Sequence, residues 1–126
     1  MTIKLGEAFK FQLFYSTIQK VKLPLKTAYK LSKIFSDLQN NIKFYQDSYN
    51  KIIDTYAKKD EEGNIIRDSE NLIQITLENP QQCEKELVEL ENMEIILDDL
   101  YLSISDLEMI DLTVDQMLNI FPFIKE

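Results

Sequence analysis

The chain has no histidine and no tryptophan, a single cysteine (Cys83), two glycines and three prolines in 126 residues. Each shortage removes a class of protein. Without histidine there is no Ser-His-Asp or Cys-His catalytic arrangement, and the usual Cys/His zinc sites are excluded. One cysteine cannot form an intramolecular disulfide, which is the expectation for a protein of a reducing compartment. Cys83 itself reads as a small residue on a helix face, since a nucleophile needs a base beside it. Gly6 and Gly63 are too far apart to form a phosphate-binding loop. So few turn residues also argue against a sandwich or barrel and for long helices. No apolar run approaches the roughly 20 residues that span a bilayer, and the opening "MTIKLGEAFKFQLFYSTIQ" is interrupted by Glu7, Lys10 and Gln12 with no small-residue cleavage site after it. Neither a leader nor membrane association is expected.

What is present is apolar enough for a core: 44% of the residues are hydrophobic, too many for a disordered chain. The length suits one domain over 1–126. Charge is unevenly spread. Residues 1–59 hold eleven lysines against four acids, a balance of +7, and residues 60–126 hold three basic residues against eighteen acids, a balance of −15. Three readings stay open: opposed faces that neutralise each other within one fold, head-to-tail association of two copies, and nucleic-acid binding by the first half. The last is disfavoured, because the acidic half repels phosphate and the first half has no arginine.

Residues 2–5, "TIKL", suit a short strand ended by Gly6. A helix follows over 7–21, with Phe11, Phe14, Ile18 and Val21 on one face and Phe9, Leu13 and Tyr15 widening it. Leu23-Pro24 ends it. The next segment is the most legible. Ala28, Leu31, Phe35, Leu38, Ile42, Tyr45, Tyr49, Ile52 and Tyr56 alternate in steps of three and four, an unbroken heptad stripe. It predicts one helix over about 25–58, roughly 50 Å long at 1.5 Å per residue. The aromatics of "IKFYQDSYNKIIDTY" (42–56) are therefore core or interface residues, and a base-stacking platform would need a basic groove beside them.

Residues 57–71 are a charged break with Gly63-Asn64 as its turn. "NII" (64–66) and "LIQITL" (72–77) could form a hairpin. Asn79 and Pro80 mark a helix start, with Gln82 at the capping-box position and Cys83, Leu87 and Leu90 on its inner face; its acids could lie along the basic side of the long helix. "MEIILDDLYLSIS" (93–105) reads as a strand, kinked at Asp98-Asp99, that would pair with "TIKL". Ser105-x-x-Glu108 and Thr113-x-x-Gln116 are capping boxes. The second opens a helix "VDQMLNIF" buried through Met117, Leu118, Ile120 and Phe121 and stopped by Pro122. Phe123 and Ile124 are then either tucked in or an exposed hook for a partner. The fold class expected is mainly α with a small β element (α+β): a long heptad-patterned helix packed by flanking helices, and a short antiparallel sheet joining the N-terminus to residues near 95–103.

No catalytic or metal constellation is specified. Asp98, Asp99, Asp106, Glu108 and Asp111 crowd one region, but their spacing matches no EF-hand loop. No cofactor is expected, and the reading is of a protein that is not an enzyme. Its candidate contact residues are the far heptad positions Tyr45, Tyr49, Ile52 and Tyr56, with Phe123 and Ile124.

Five pieces of the chain, "MTIKL", "LPLKTAYKLSKIFSDLQNNIKFYQDSYNKIIDTYAKKDEEGN", "KELVELENMEI", "LSISDLE" and "DLTVDQMLNIFPFI", together resemble a family of small, uncharacterised proteins of tailed bacteriophages. The chain departs from that pattern over 65–78. The family has no assigned activity, so the resemblance implies a setting and no catalytic residues. It implies a phage protein that works through protein–protein contacts, in the host cytoplasm or incorporated in the virion. Its partner would be a phage structural protein, a host protein or a second copy. A structural or assembly role is favoured. The alternative is a small acidic inhibitor that binds a host or defence enzyme by mimicking the charge of nucleic acid.

Overall fold

A computed structural model describes residues 1–70 and 80–125. In chain order its elements are strand β1 (Thr2–Lys4), helix α1 (Leu5–Ile18), helix α2 (Leu25–Tyr56), helix α3 (Pro80–Glu91), strand β2 (Glu94–Ile96), the one-turn α4 (Ile104–Leu107), helix α5 (Val114–Ile120) and a 3-10 turn over Phe121–Phe123. The fold is mainly α with one small antiparallel sheet. Thr2 lies opposite Ile96, Ile3 opposite Ile95 and Lys4 opposite Glu94.

The heptad stripe makes α2 the spine. Its 32 residues span about 48 Å at 1.5 Å per residue. Buried positions run Thr27, Leu31, Ile34, Leu38, Ile42 and Tyr45, so the stripe is centred slightly to one side of the predicted one: Ile34 is inside and Phe35 is half-covered. Helix α1 lies antiparallel on this stripe. Phe35 stacks on Tyr15 with ring centroids 4.2 Å apart, and Tyr45 meets Phe9 at 5.0 Å. The main core joins Phe11, Phe14 and Ile18 of α1 to Leu31, Leu38 and Ile42 of α2, closed from the C-terminal side by Leu102, Leu107, Ile120 and Phe123. A smaller cluster, Leu5, Tyr45 and Leu90, joins α1, α2 and α3.

Several boundaries differ from those predicted. Helix α1 begins at Leu5 and contains Gly6, because the Glu7 carboxylate accepts the Lys4 backbone N–H at 2.8 Å and caps the first turn. It ends at Ile18, leaving Val21 exposed in the turn. The predicted strand over 93–105 is split. Residues 94–96 pair with the N-terminus, whereas Leu102 bonds the C-terminal segment: its N–H donates to the Phe123 carbonyl at 2.7 Å and its carbonyl accepts from the Lys125 N–H at 2.9 Å. Asp98 and Asp99, poor strand formers, separate the two pairings, and Asp99 is drawn to the N-terminal amine. The capping box falls at Ser103 and Asp106 instead of Ser105 and Glu108. Asp106 Oδ2 accepts the Ser103 N–H at 2.8 Å, and Ser103 Oγ accepts the Asp106 N–H. The Thr113–Gln116 box forms as predicted.

Pro122 does not stop α5 abruptly; it sits in the first turn of the 3-10 continuation. Leu118 and Phe121 face outward, and burial of the C-terminal segment is carried by Ile120 and Phe123. In the charged break the turn is at Gly63 (φ 84°), with Asp60 Oδ1 accepting the Glu62 and Asn64 N–H groups at 2.9 Å each. Ile65 pairs across it with Lys59. The predicted "LIQITL" arm and the Asn79 cap lie outside the described residues.

Candidate functional site

The stripe of α2 outruns α1. Because the two helices are antiparallel, the N-terminal end of α1 lies by Tyr45, and beyond it, among the described residues, α3 packs on α2. Tyr45 is therefore buried (7% exposed) and Tyr49, one turn further on the same stripe, is 39% exposed. Ile52 and Tyr56 are half-buried. Tyr49 lies 6.1 Å from Tyr45, ring to ring, so Phe9, Tyr45 and Tyr49 form a continuous aromatic floor. Two adjoining open depressions, of about 570 and 580 Å³, share Phe9, Tyr45 and Glu91 as walls. One opens toward Lys4 and Lys10, the other toward Gln46, Tyr49 and Asn50.

Helix α3 reaches this place because residue 6 is glycine. A Cβ there would stand 3.3 Å from both the Cβ and the carbonyl oxygen of Glu91. Gly6→Val is expected to lose about 1–3 kcal/mol by forcing α1 and α3 apart, measured by urea unfolding; unchanged stability would mean that the two helices do not hold this contact.

The acidic helix does not lie on the lysines of α2. Among the described residues no lysine of α2 forms an ion pair with a glutamate of α3. The contacts are made by tyrosines instead. Burial pushes the Tyr45 hydroxyl pKa up, with Glu91 adding to it. Tyr56 is also raised, chiefly by its hydrogen bond to Glu86. A tyrosine carries an apolar body and a polar tip, which suits a half-wet helix junction. Cys83 is buried on the inner face of α3, and its thiol pKa is raised by burial and then by Glu86. Both disfavour the thiolate, which is the nucleophilic form.

The six predicted contact residues are not one surface. Tyr45 and Phe123 belong to two separate core clusters. Phe123 packs on Phe11 at 4.9 Å, and Ile124 is half-buried in a bridge with Leu102. The hook reading of this pair gives way to the tucked-in one because Leu102 supplies backbone partners on both sides of it. Tyr49 remains accessible, flanked by Ile52 and Tyr56. Sequence reasoning missed the part played by Glu91, and no local signal could have found it, since it acts across a helix junction. Phe9 was signalled as an extra apolar position on α1.

Of the clustered acids, Asp106 is paired with Lys30 and Asp99 with the N-terminal amine. Among the described residues no group of three or more His, Cys, Asp or Glu side chains could hold a metal ion, and no helix is long and apolar enough to cross a membrane. Comparison with family models, with curated proteins and with solved structures finds no match.

Proposed function

We propose that the protein is a non-enzymatic component of a tailed bacteriophage that works through protein–protein contacts in virion structure or assembly. The observation that carries this reading is the aromatic floor of Phe9, Tyr45 and Tyr49, left open where α2 outruns α1. A floor of aromatic rings with an amide rim of Gln46 and Asn50 suits a segment of a larger protein better than a small polar substrate. The resemblance to small phage proteins supplies the setting, host cytoplasm and assembling particle.

The test uses tagged protein in infected cells. It should sediment with particles or assembly intermediates, and Tyr49→Ser should remain folded yet stay at the top of the gradient. Wild-type protein absent from both fractions, or a Tyr49→Ser variant that sediments normally, would overturn the proposal.

One observation favours a second reading, an inhibitor of a nucleic-acid-handling enzyme: Glu84, Glu89 and Glu91 are exposed along α3, beside the −15 balance of residues 60–126. Such a charge mimic should lose its partner steeply as salt rises, whereas an aromatic contact should not.

A further inference from the structure

Two exposed apolar patches of opposite charge lie elsewhere on the molecule. The first is the α1–α2 turn and the start of α2. Val21, Leu25 and Tyr29 are exposed there, the last two at 88% and 65%, and Leu25 and Tyr29 share a helix face one turn apart. Lys20, Lys22 and Lys26 are interleaved with them, and residues 19–29 contain no acid. The second is the outer face of α5. Val114 and Leu118 share a face of α5 one turn apart, and Phe121 follows in the 3-10 turn; each is between 56% and 77% exposed. Asp115 lies between them in sequence, Glu108 and Asp111 shortly precede them, and residues 108–121 contain no basic residue. Ile120 is the buried residue that anchors α5 to the core.

All six charged residues are exposed. Among the described residues none of them has an ion-pair partner within the chain. Three unpaired lysines around three apolar side chains thus face a counterpart of three unpaired acids around three apolar side chains. We propose that these patches bind each other between copies: the basic turn of one molecule seats on the acidic face of α5 in the next. The occupant is a second copy because the two surfaces match in charge, in number of charges and in apolar character. Thr27 and Lys30 bond Asp106, and Thr17 meets Gln116, so the two patches lie on neighbouring elements of each molecule, and two copies can join basic turn to acidic face reciprocally. With a few large side chains a side, it belongs among small, weak interfaces, which form on crowding and dissolve on dilution. The inference goes beyond the groove at Tyr49 and does not depend on the phage setting.

A charge-swap experiment tests it by light scattering at low salt across a dilution series. Wild-type protein should exceed the monomer mass, increasingly with concentration, and return toward monomer at high salt. Lys20→Glu with Lys22→Glu and Lys26→Glu should be monomeric, as should Glu108→Lys with Asp111→Lys and Asp115→Lys. Mixing the two reversed variants should restore association, since each then offers the patch that the other lacks. Each reversal moves the net charge of −8 by two, so both variants stay negative and general attraction does not explain recovery. Circular dichroism checks that each is folded. The neutral pair Leu25→Ser and Leu118→Ser, each tested alone, should also lower the mass at low salt. A monomeric wild type at every concentration, variants that associate when alone, or a mixture that stays monomeric would each overturn the proposal. None of these results bears on Tyr49, whose variant should associate like the wild type.

Discussion

Phe123→Ala is expected to destabilise the protein by about 3–5 kcal/mol, the range for emptying an aromatic site in a packed core. The ring is almost wholly buried against Phe11 and belongs to the same cluster as Leu102 and Ile120. Two backbone hydrogen bonds to Leu102 hold the segment in place on either side of it, so the neighbourhood cannot easily collapse into the void. Phe121→Ala is the internal control. It removes the same atoms two residues away from a ring that faces solvent, and should cost no more than about 0.5 kcal/mol. Urea unfolding of the two variants measures the difference. Equal small losses would mean that the C-terminal segment is not docked and that Phe123 is free to act as a hook.

The second large effect is an acid-linked one at Asp106. Its carboxylate accepts from Lys30 Nζ at 2.7 Å and from the Ser103 N–H at 2.8 Å, while its backbone carbonyl accepts from Thr27 Oγ1 at 3.2 Å. One residue thus ties α4 to the start of α2. The Lys30 hydrogen bond, with the Ser103 N–H next, holds the Asp106 pKa down to about 2. Because the folded value is below that of an unfolded aspartate, the charged form stabilises the fold. That contribution is complete above about pH 5 and is lost as the pH falls from about 4 toward 2. Its size is about 1–2 kcal/mol, taking 1.36 kcal/mol per pH unit and allowing for partial exposure. Asp106→Asn keeps an acceptor for the Ser103 cap but removes the charge. It should cost about that amount at pH 7 and nothing near pH 2, so the wild-type and variant stability curves converge in acid. Unfolding free energies at several pH values decide it. A constant gap down to pH 2 would show that the loss is one of packing, with no ionic part.

The two predictions bear on what could be read in advance. The long helix, its heptad stripe, the Thr113–Gln116 cap and the pairing of "TIKL" with the strand after α3 all rest on local patterns, and all are in the structure. Local patterns failed where two partners competed for one segment. The β-branched run over 93–105 carries enough strand propensity for one long strand. It is divided because Ile95 pairs with the N-terminus and Leu102 with the C-terminal segment. Likewise both Ser103 and Ser105 could cap α4, and the choice falls on Ser103 because it sets Asp106 facing Lys30.

By itself, the sequence determined that the chain would be helical, since turn residues are scarce and apolar residues repeat with the helical period. It also determined that histidine-based chemistry was unavailable and that charge would be unequally shared. Tertiary structure alone decided which apolar residues are core and which are surface. Phe121 and Phe123 are alike in chemistry and two residues apart, yet a 3-10 turn sends one to solvent and the other to the centre. Tyr45 and Tyr49 are alike on the same stripe, yet the N-terminal end of α1 covers the first and leaves the second accessible. Periodicity states which residues share a face of their own helix; only the neighbouring helices, and where they stop, settle whether that face is covered.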